Sequence, residues 1–458
     1  MAQRTLALPR RAERDLTTGS LISLIASQSA PSIAEMALMN TVGLVQAFWM
    51  GQVSETALAA VAIGTTLRIV LISPMMGLSA GGMALVAHHI GAKERRQADH
   101  AVMQTILLVF LFIVPIMVLA QSMAPVFLRW MGTSGELQAD ALAYVRIIFS
   151  GLLFMEMLPT MNGVIRGAGH PEYTLRTNIV HIVVMFAVGT ALVLGTGPFP
   201  ALGVSGAAWA AVAGSAAGVA AQLIILIGGR AGVRLHLRDA VPDWSTMKRI
   251  LRIAVPSAAQ RFSPNLANAL LVRIVTGFGA EVLTAYSLVS RISAFLSCPG
   301  MGISTAAAAM VGQNLGARKP DRAGRSVFLS GVGAAGASLL LLGLLNLSPR
   351  FWLGFFGTSP TVMAVAVIAA RFLLLSGTAT SLSSVLDRSL VAAGDALMVM
   401  AISIASLWIG QVGLVWVLST PLGLGPTGIW AGIGLGYLIS CLGMVYRFQQ
   451  GRWREARV

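Results

Sequence analysis

Apolar runs of roughly 20 residues recur along almost the whole chain, separated by short polar, glycine or proline breaks. A run of that length crosses about 30 Å of hydrocarbon as a helix, and in hydrocarbon a helix satisfies its own backbone N–H and C=O groups. The chain is therefore read as an all-α integral membrane protein. With 56% of its 458 residues hydrophobic and 11% charged, it has too little polar surface to coat a soluble domain. The runs fall near residues 17–50, 56–89, 101–122, 139–165, 174–195 and 203–228, then near 247–277, 281–313, 325–347, 361–391, 397–420 and 427–447. This pattern predicts twelve transmembrane helices: an amino-terminal lobe over 1–228, a cytoplasmic linker over 229–246 and a carboxy-terminal lobe over 247–458.

The formal net charge of +15 is explained by topology, and no nucleic-acid partner is expected, because the basic residues sit in short clusters between apolar runs. Lys and Arg accumulate in short cytoplasmic loops. Placing both termini inside puts 24 of them on the cytoplasmic side and two, Arg129 and Arg350, outside. The basic start, the apolar stretch and the small residues Ser27 to Ala30 resemble a secretory signal. Pro31 at the +1 position argues against cleavage, and the apolar pattern continues through Trp49, so an uncleaved first helix is expected. Cys298 and Cys441 lie inside apolar runs without a CxxC or Cys/His neighbour, which predicts neither disulfide nor zinc.

An internal repeat organises the chain. At an offset of 225 residues, PMMGLSAGGMALVAHHIGAK (Pro74 to Lys93) aligns without gaps to PGMGISTAAAAMVGQNLGAR (Pro299 to Arg318). The same offset pairs Pro31 with Pro256, Arg146 with Arg371, and Gly167-Ala168-Gly169 with Ala392-Ala393-Gly394; near the ends it becomes 222, pairing Gly203 and Gly206 with Gly425 and Gly428. Because the repeat spans six helices, both halves enter the membrane in the same direction, which predicts two six-helix lobes related by a pseudo-two-fold along the membrane normal.

The paired loops HHIGAKERRQADHAV and GQNLGARKPDRAGRSV, the RGAG turn at Arg166 and the LGxxG starts at Leu202 and Leu424 resemble the multidrug and toxic compound extrusion (MATE) family. The resemblance runs through both halves. It implies a V-shaped cleft between the lobes and export of small organic, often cationic, compounds in exchange for protons or sodium. It also implies an acidic residue in the first helix fifteen positions after Pro31, where this chain has Gln46. Sodium-coupled members carry a glutamate where this chain has Pro264 and an aspartate where it has Ser381. Those departures disfavour a sodium site in the carboxy-terminal lobe.

A charge at mid-bilayer costs at least about 2.5–3.5 kcal/mol on insertion scales, so each ionisable residue there is a functional candidate. Glu35 in the first helix and Glu156 in the fourth fall near the middle of the hydrocarbon, where a carboxylate can exchange a proton as its surroundings change. His181 in the fifth helix is a candidate to share that proton. The structural alternative for the two carboxylates is a neutral or paired group at a helix contact. Arg261, midway along the seventh helix, either lines the cleft or pairs with Asp387 or Glu35; lining the cleft would favour anionic or zwitterionic cargo. Asp387 itself lies close to the cytoplasmic end. Asn40, Asn265 and Asn268 are candidate cleft groups, although interhelical hydrogen bonding is the commoner use of such residues. Pro31, Pro74, Pro159, Pro256, Pro264 and Pro299 each free a carbonyl and favour a bend, and Pro31 is the candidate gate.

No HExxH, GxSxG or paired-aspartate constellation is present, so an enzyme is not expected. The expected activity is secondary active export by alternating access. The coupling ion is a proton, with sodium as the alternative, and no other cofactor is expected. A flippase for lipid-linked cargo is the competing reading and would call for several cleft arginines. The expected location is a bacterial inner membrane, with a monomer embedded in lipid.

Overall fold

A computed structural model describes residues 15–196, 198–355 and 359–455. The two chain ends, 1–14 and 456–458, expected on the cytoplasmic side, lie outside the described residues. The helices are α1 (Leu21–Val53), α2 (Glu55–Ile72), α3 (Leu78–Gly91), α4 (Arg95–Trp130), α5 (Gly135–Ser150), α6 (Leu152–Gly167), α7 (Pro171–Leu194), α8 (Gly203–Ile227), α9 (Trp244–Thr276), α10 (Ala280–Leu296), α11 (Cys298–Gly316), α12 (Pro320–Leu347), the short α13 (Pro349–Gly354), α14 (Pro360–Ala392), α15 (Ala396–Ala405), α16 (Leu414–Ser419) and α17 (Gly425–Gln449). Joined across their breaks, α2–α3, α5–α6, α10–α11 and α15–α16 complete twelve helical segments, each overlapping one of the expected apolar runs; up to ten of them are long and apolar enough by themselves to cross a membrane. The break in the last pair is a π-helical stretch, Ser406–Gly413.

Backbone geometry carries the repeat. Lys93 (φ 63°) and Arg318 (φ 57°) are the non-glycine residues with positive φ among the described residues, and they are 225 apart. Gly169 (φ 90°) and Gly394 (φ 95°) end the paired Gly-Ala turns at the same spacing. A left-handed residue is strained unless it is glycine, so two matched non-glycine cases mark one turn built twice.

The breaks follow the prolines only in part. Pro74 lies in the 3₁₀ turn Ser73–Gly77 between α2 and α3, and its repeat mate Pro299 opens α11 after a 44° bend. Pro31, Pro256 and Pro264 sit inside helices that continue through them. The bend expected at Pro159 is found instead at Gly151, where α5 and α6 meet at 51°. There a Cβ would fall 2.3 Å from Val212 on α8, so the absence of a side chain lets the chain turn against that helix.

Within a lobe, small residues let backbones close together, the main source of helix association where lipid removes the hydrophobic incentive. On α8 a Cβ at Gly206 would lie 2.5 Å from the carbonyl oxygen of Leu192, and one at Gly214 2.7 Å from that of His181; both neighbours are on α7. The opposite faces carry the lipid-facing apolar belt, with Val118, Val183, Leu340 and Ile409 all exposed.

The two lobes meet through α1, α3, α4 and α6 on one side and α9, α11 and α14 on the other. Close backbone contacts between the lobes reach from the turn between α2 and α3, where a Cβ on Gly77 would lie 1.9 Å from the carbonyl oxygen of Ala254, to the end of the bundle that carries the basic loops. A Cβ on Gly91 would lie 1.9 Å from the carbonyl oxygen of Gln313, and one on Gly316 2.0 Å from that of His88. At the opposite end α2, α5 and α10 pack within their own lobes. The loop between α8 and α9 is fastened to α4: Gln104 donates to the carbonyls of Asp239 and Val241 and accepts from the Asp243 backbone N–H at 2.9 Å.

Candidate functional site

Between the lobes lies a cavity of about 860 Å³, walled by α1, α2, α3 and α6 from one half and by α9, α11 and α14 from the other. Its apolar surface is rich in methionine: Met36, Met75, Met76, Met83, Met155 and Met301. These flexible, polarisable side chains adapt to varied ligand shapes. Set into that lining are six charged side chains: Arg68, Glu156, Arg166, Arg261, Asp387 and Arg388.

Glu156 lies on α6, three residues before Pro159. It faces Arg68 on α2, whose Nη1 stands 3.8 Å from its Oε1. Both groups line the cavity, so the pair is reached from it.

Glu35 is held differently. Its neighbour Met36 lines the cavity, while Glu35, about 100° away around α1, is buried against α6 and α7. Thr174 donates to its Oε2 at 2.8 Å and Asn178 to its Oε1 at 3.0 Å, and Arg166 Nη1 stands 3.5 Å from that same Oε1. A buried carboxylate with two hydrogen-bond donors and a guanidinium has its charge compensated. Arg166 also lines the cavity, so it links the Glu35 nest to the open space.

The other lobe answers with different chemistry. Gln260 on α9 donates to Asp387 Oδ2 on α14 at 2.6 Å and to Ser403 Oγ on α15 at 2.9 Å. Arg388 Nη1 donates to Thr305 Oγ1 at 3.1 Å. Arg261 lines the cavity and is exposed to it, with no hydrogen-bond or ion-pair partner among the described residues.

Of the residues expected at the site, Glu156, Arg261, Asn265 and Asp387 come together around the cavity. Asp387 is therefore a cavity group engaged by Gln260, not an interfacial one. Asn40 bridges the lobes, donating to Cys298 Sγ at 3.2 Å, and Asn268 accepts from the Tyr286 hydroxyl at 2.8 Å; neither is in the cavity lining. Gln46 reaches Met185 Sδ on α7 at 3.9 Å. His181 is buried beside Gly214 between α7 and α8, and the partners of Glu35 and Glu156 among the described residues do not include it. Arg68, Arg166 and Arg388 were not singled out from the sequence. Arg68 carries a signal, a lone charge inside an apolar run, whereas Arg166 and Arg388 stand beside polar turns and read as basic loop residues.

Two six-helix lobes around a central charged cavity define the class of two-lobed membrane transporters. The MatE family model matches residues 31–190 and 256–417, once in each half, and the chain belongs to that family. It is 25% identical over 450 residues to the probable multidrug resistance protein YoeA of Bacillus subtilis, covering 96% of this chain and 94% of the relative. It is 27% identical over 450 residues to the probable multidrug resistance protein NorM of Deinococcus radiodurans, covering 94% and 96%. Among solved structures, the outward-facing conformation of a multidrug resistance MATE transporter superposes with a TM-score of 0.89 at 21% identity, covering 98% of this chain and 100% of the other.

Proposed function

We propose that this protein exports small organic molecules by alternating access, coupled to the inward movement of protons. The observation that carries this reading is the Glu156–Arg68 pair in the wall of a cavity lying between two lobes whose backbones are in close contact at their basic end. Lys and Arg mark that end as cytoplasmic, which makes the arrangement outward-open in a bacterial inner membrane. The names of the multidrug resistance relatives support organic compounds as cargo.

A proton entering from outside neutralises Glu156 and releases Arg68. Rocking of the lobes then changes the surroundings of that carboxyl group, and a difference in proton affinity between the two states supplies the coupling. Glu35 is a second proton site, connected to the cavity through Arg166. A proton fits both places better than sodium, because each carboxylate already faces a guanidinium that a bound cation would have to displace.

The test is export from vesicles under an imposed pH gradient. Glu156→Gln is expected to abolish the dependence on the gradient and Glu35→Gln to weaken it. Full gradient-dependent transport in both variants overturns the assignment, and stimulation by a sodium gradient alone replaces the proton.

A further inference from the structure

The cavity carries four guanidinium groups, Arg68, Arg166, Arg261 and Arg388, against two carboxylates, Glu156 and Asp387. Counting Glu35, which stands behind Arg166, the cations remain in excess. The local pairs distribute that excess unevenly. Arg68 faces Glu156 and Arg166 faces Glu35. In the other lobe a single carboxylate, Asp387, serves two arginines: its own neighbour Arg388, and Arg261, which senses it without direct contact. Gln260 occupies one oxygen of that carboxylate at 2.6 Å. Arg261 is thus a guanidinium facing open space from mid-helix, with no partner within ion-pair distance among the described residues.

Such a charge is costly to hold in a membrane and is retained where it meets a ligand or water. Its repeat mate is Met36, and those of Arg68, Arg166 and Arg388 are Ser293, Val391 and Gly163. The positive set is therefore no by-product of the duplicated scaffold. The methionine lining offers an adaptable apolar surface beside these fixed cations.

We propose that the cargo is an amphipathic organic anion, its acidic group bound by Arg261 and Arg388 and its apolar body lying against the cavity methionines. This rests on the exporter reading and names its substrate class. A cationic compound would meet an uncompensated guanidinium in a confined space. For an anion, a membrane potential negative inside favours exit.

Two xanthene dyes of similar ring shape and opposite charge provide the probe: carboxyfluorescein and rhodamine 6G, titrated at pH 8 against the purified full chain by fluorescence anisotropy. The wild type is expected to bind carboxyfluorescein the more tightly. Arg261→Gln should weaken that binding about tenfold or more and leave rhodamine 6G unchanged or tighter, while Arg261→Lys, which keeps the charge, should retain most of it. Melting temperatures of both variants establish that they fold. Rhodamine 6G bound as tightly as carboxyfluorescein, no binding of carboxyfluorescein, or equal weakening of both dyes by Arg261→Gln overturns the proposal. Gradient-driven export of rhodamine 6G alone would leave the exporter reading standing and remove the anionic one. Selective carboxyfluorescein binding without export would do the reverse.

Discussion

Asn178 donates to Glu35 at 3.0 Å, and 225 residues later Gln260 donates to Ser403 at 2.9 Å. The same two positions touch in each lobe, but the carboxylate of the first contact is a carboxamide in the second. The second lobe takes its carboxylate from Asp387, whose repeat mate is Asn162. One scaffold thus holds two polar nests of different charge, and only the first contains a carboxylate cut off from the cavity lining.

That arrangement makes Glu35 structural as well as chemical. Glu35→Ala leaves Arg166 without its ion-pair partner and leaves Thr174 and Asn178 with only their local acceptors, the carbonyls of Pro171 and Thr174; breaking a buried pair from one side costs about 3–5 kcal/mol. Glu35→Gln keeps one acceptor oxygen and should cost much less. Thermal denaturation in detergent compares them, and equal melting of Glu35→Ala and wild type would contradict the packing described.

The basic-end closure should respond to a single methyl group. Gly91→Ala places a Cβ where the Gln313 carbonyl oxygen lies at 1.9 Å, and Gly316→Ala does the same at 2.0 Å from that of His88. Backbone must move in either case, since neither obstacle is a flexible side-chain end. Spin labels at Gln52 and Glu281, one on each lobe at the end remote from that closure, are expected to report a shift towards shorter distances as the lobes lose their contact at the basic end. An unchanged distance distribution would mean that the closure tolerates the strain.

Much of this was legible in the sequence. Twelve runs, two lobes and the paired turns follow from apolar length and a gapless repeat, because hydrocarbon enforces helices and a duplicated turn keeps its backbone. Glu156 and Arg261 could be picked out because a charge inside an apolar run has few innocent explanations. Partners were harder. Arg166 and Arg388 look like loop cations when position along the chain is the only coordinate, and helix rotation alone decides that Met36 faces the cavity while Glu35 does not. Asn40 and Asn268 carried no signal separating a cavity group from an interhelical hydrogen bond.

Asp243 supplies a prediction outside the membrane. It caps α9, accepting from Thr246 Oγ1 at 2.5 Å and from the Ser245 backbone and hydroxyl at 3.0 and 2.8 Å. These hydrogen bonds, that of Thr246 foremost, hold its carboxyl well below the usual carboxylate range. A folded pKa depressed below the unfolded one gives stability that is complete above the unfolded value and is lost as pH falls through the folded one. The carboxylate therefore stays ionised from pH 8 to pH 5, and Asp243→Ala should cost about 1 kcal/mol across that window. Asp243→Asn should recover most of the loss at pH 8. A melting difference that shrank as pH fell to 5 would contradict the assignment.

Pro31 tests whether α1 must yield for the lobes to rock. Proline has no N–H to give the Ser27 carbonyl four residues earlier, yet α1 runs unbroken from Leu21 to Val53. Pro31→Ala restores the missing hydrogen bond and stiffens the helix on the same turn that presents Glu35 to Thr174 and Asn178. If bending there is a step of the cycle, the variant should bind cargo as the wild type does but turn over several-fold more slowly, with its conformer populations shifted. Wild-type turnover together with wild-type populations would remove Pro31 from the gate and leave it a static feature of the first helix.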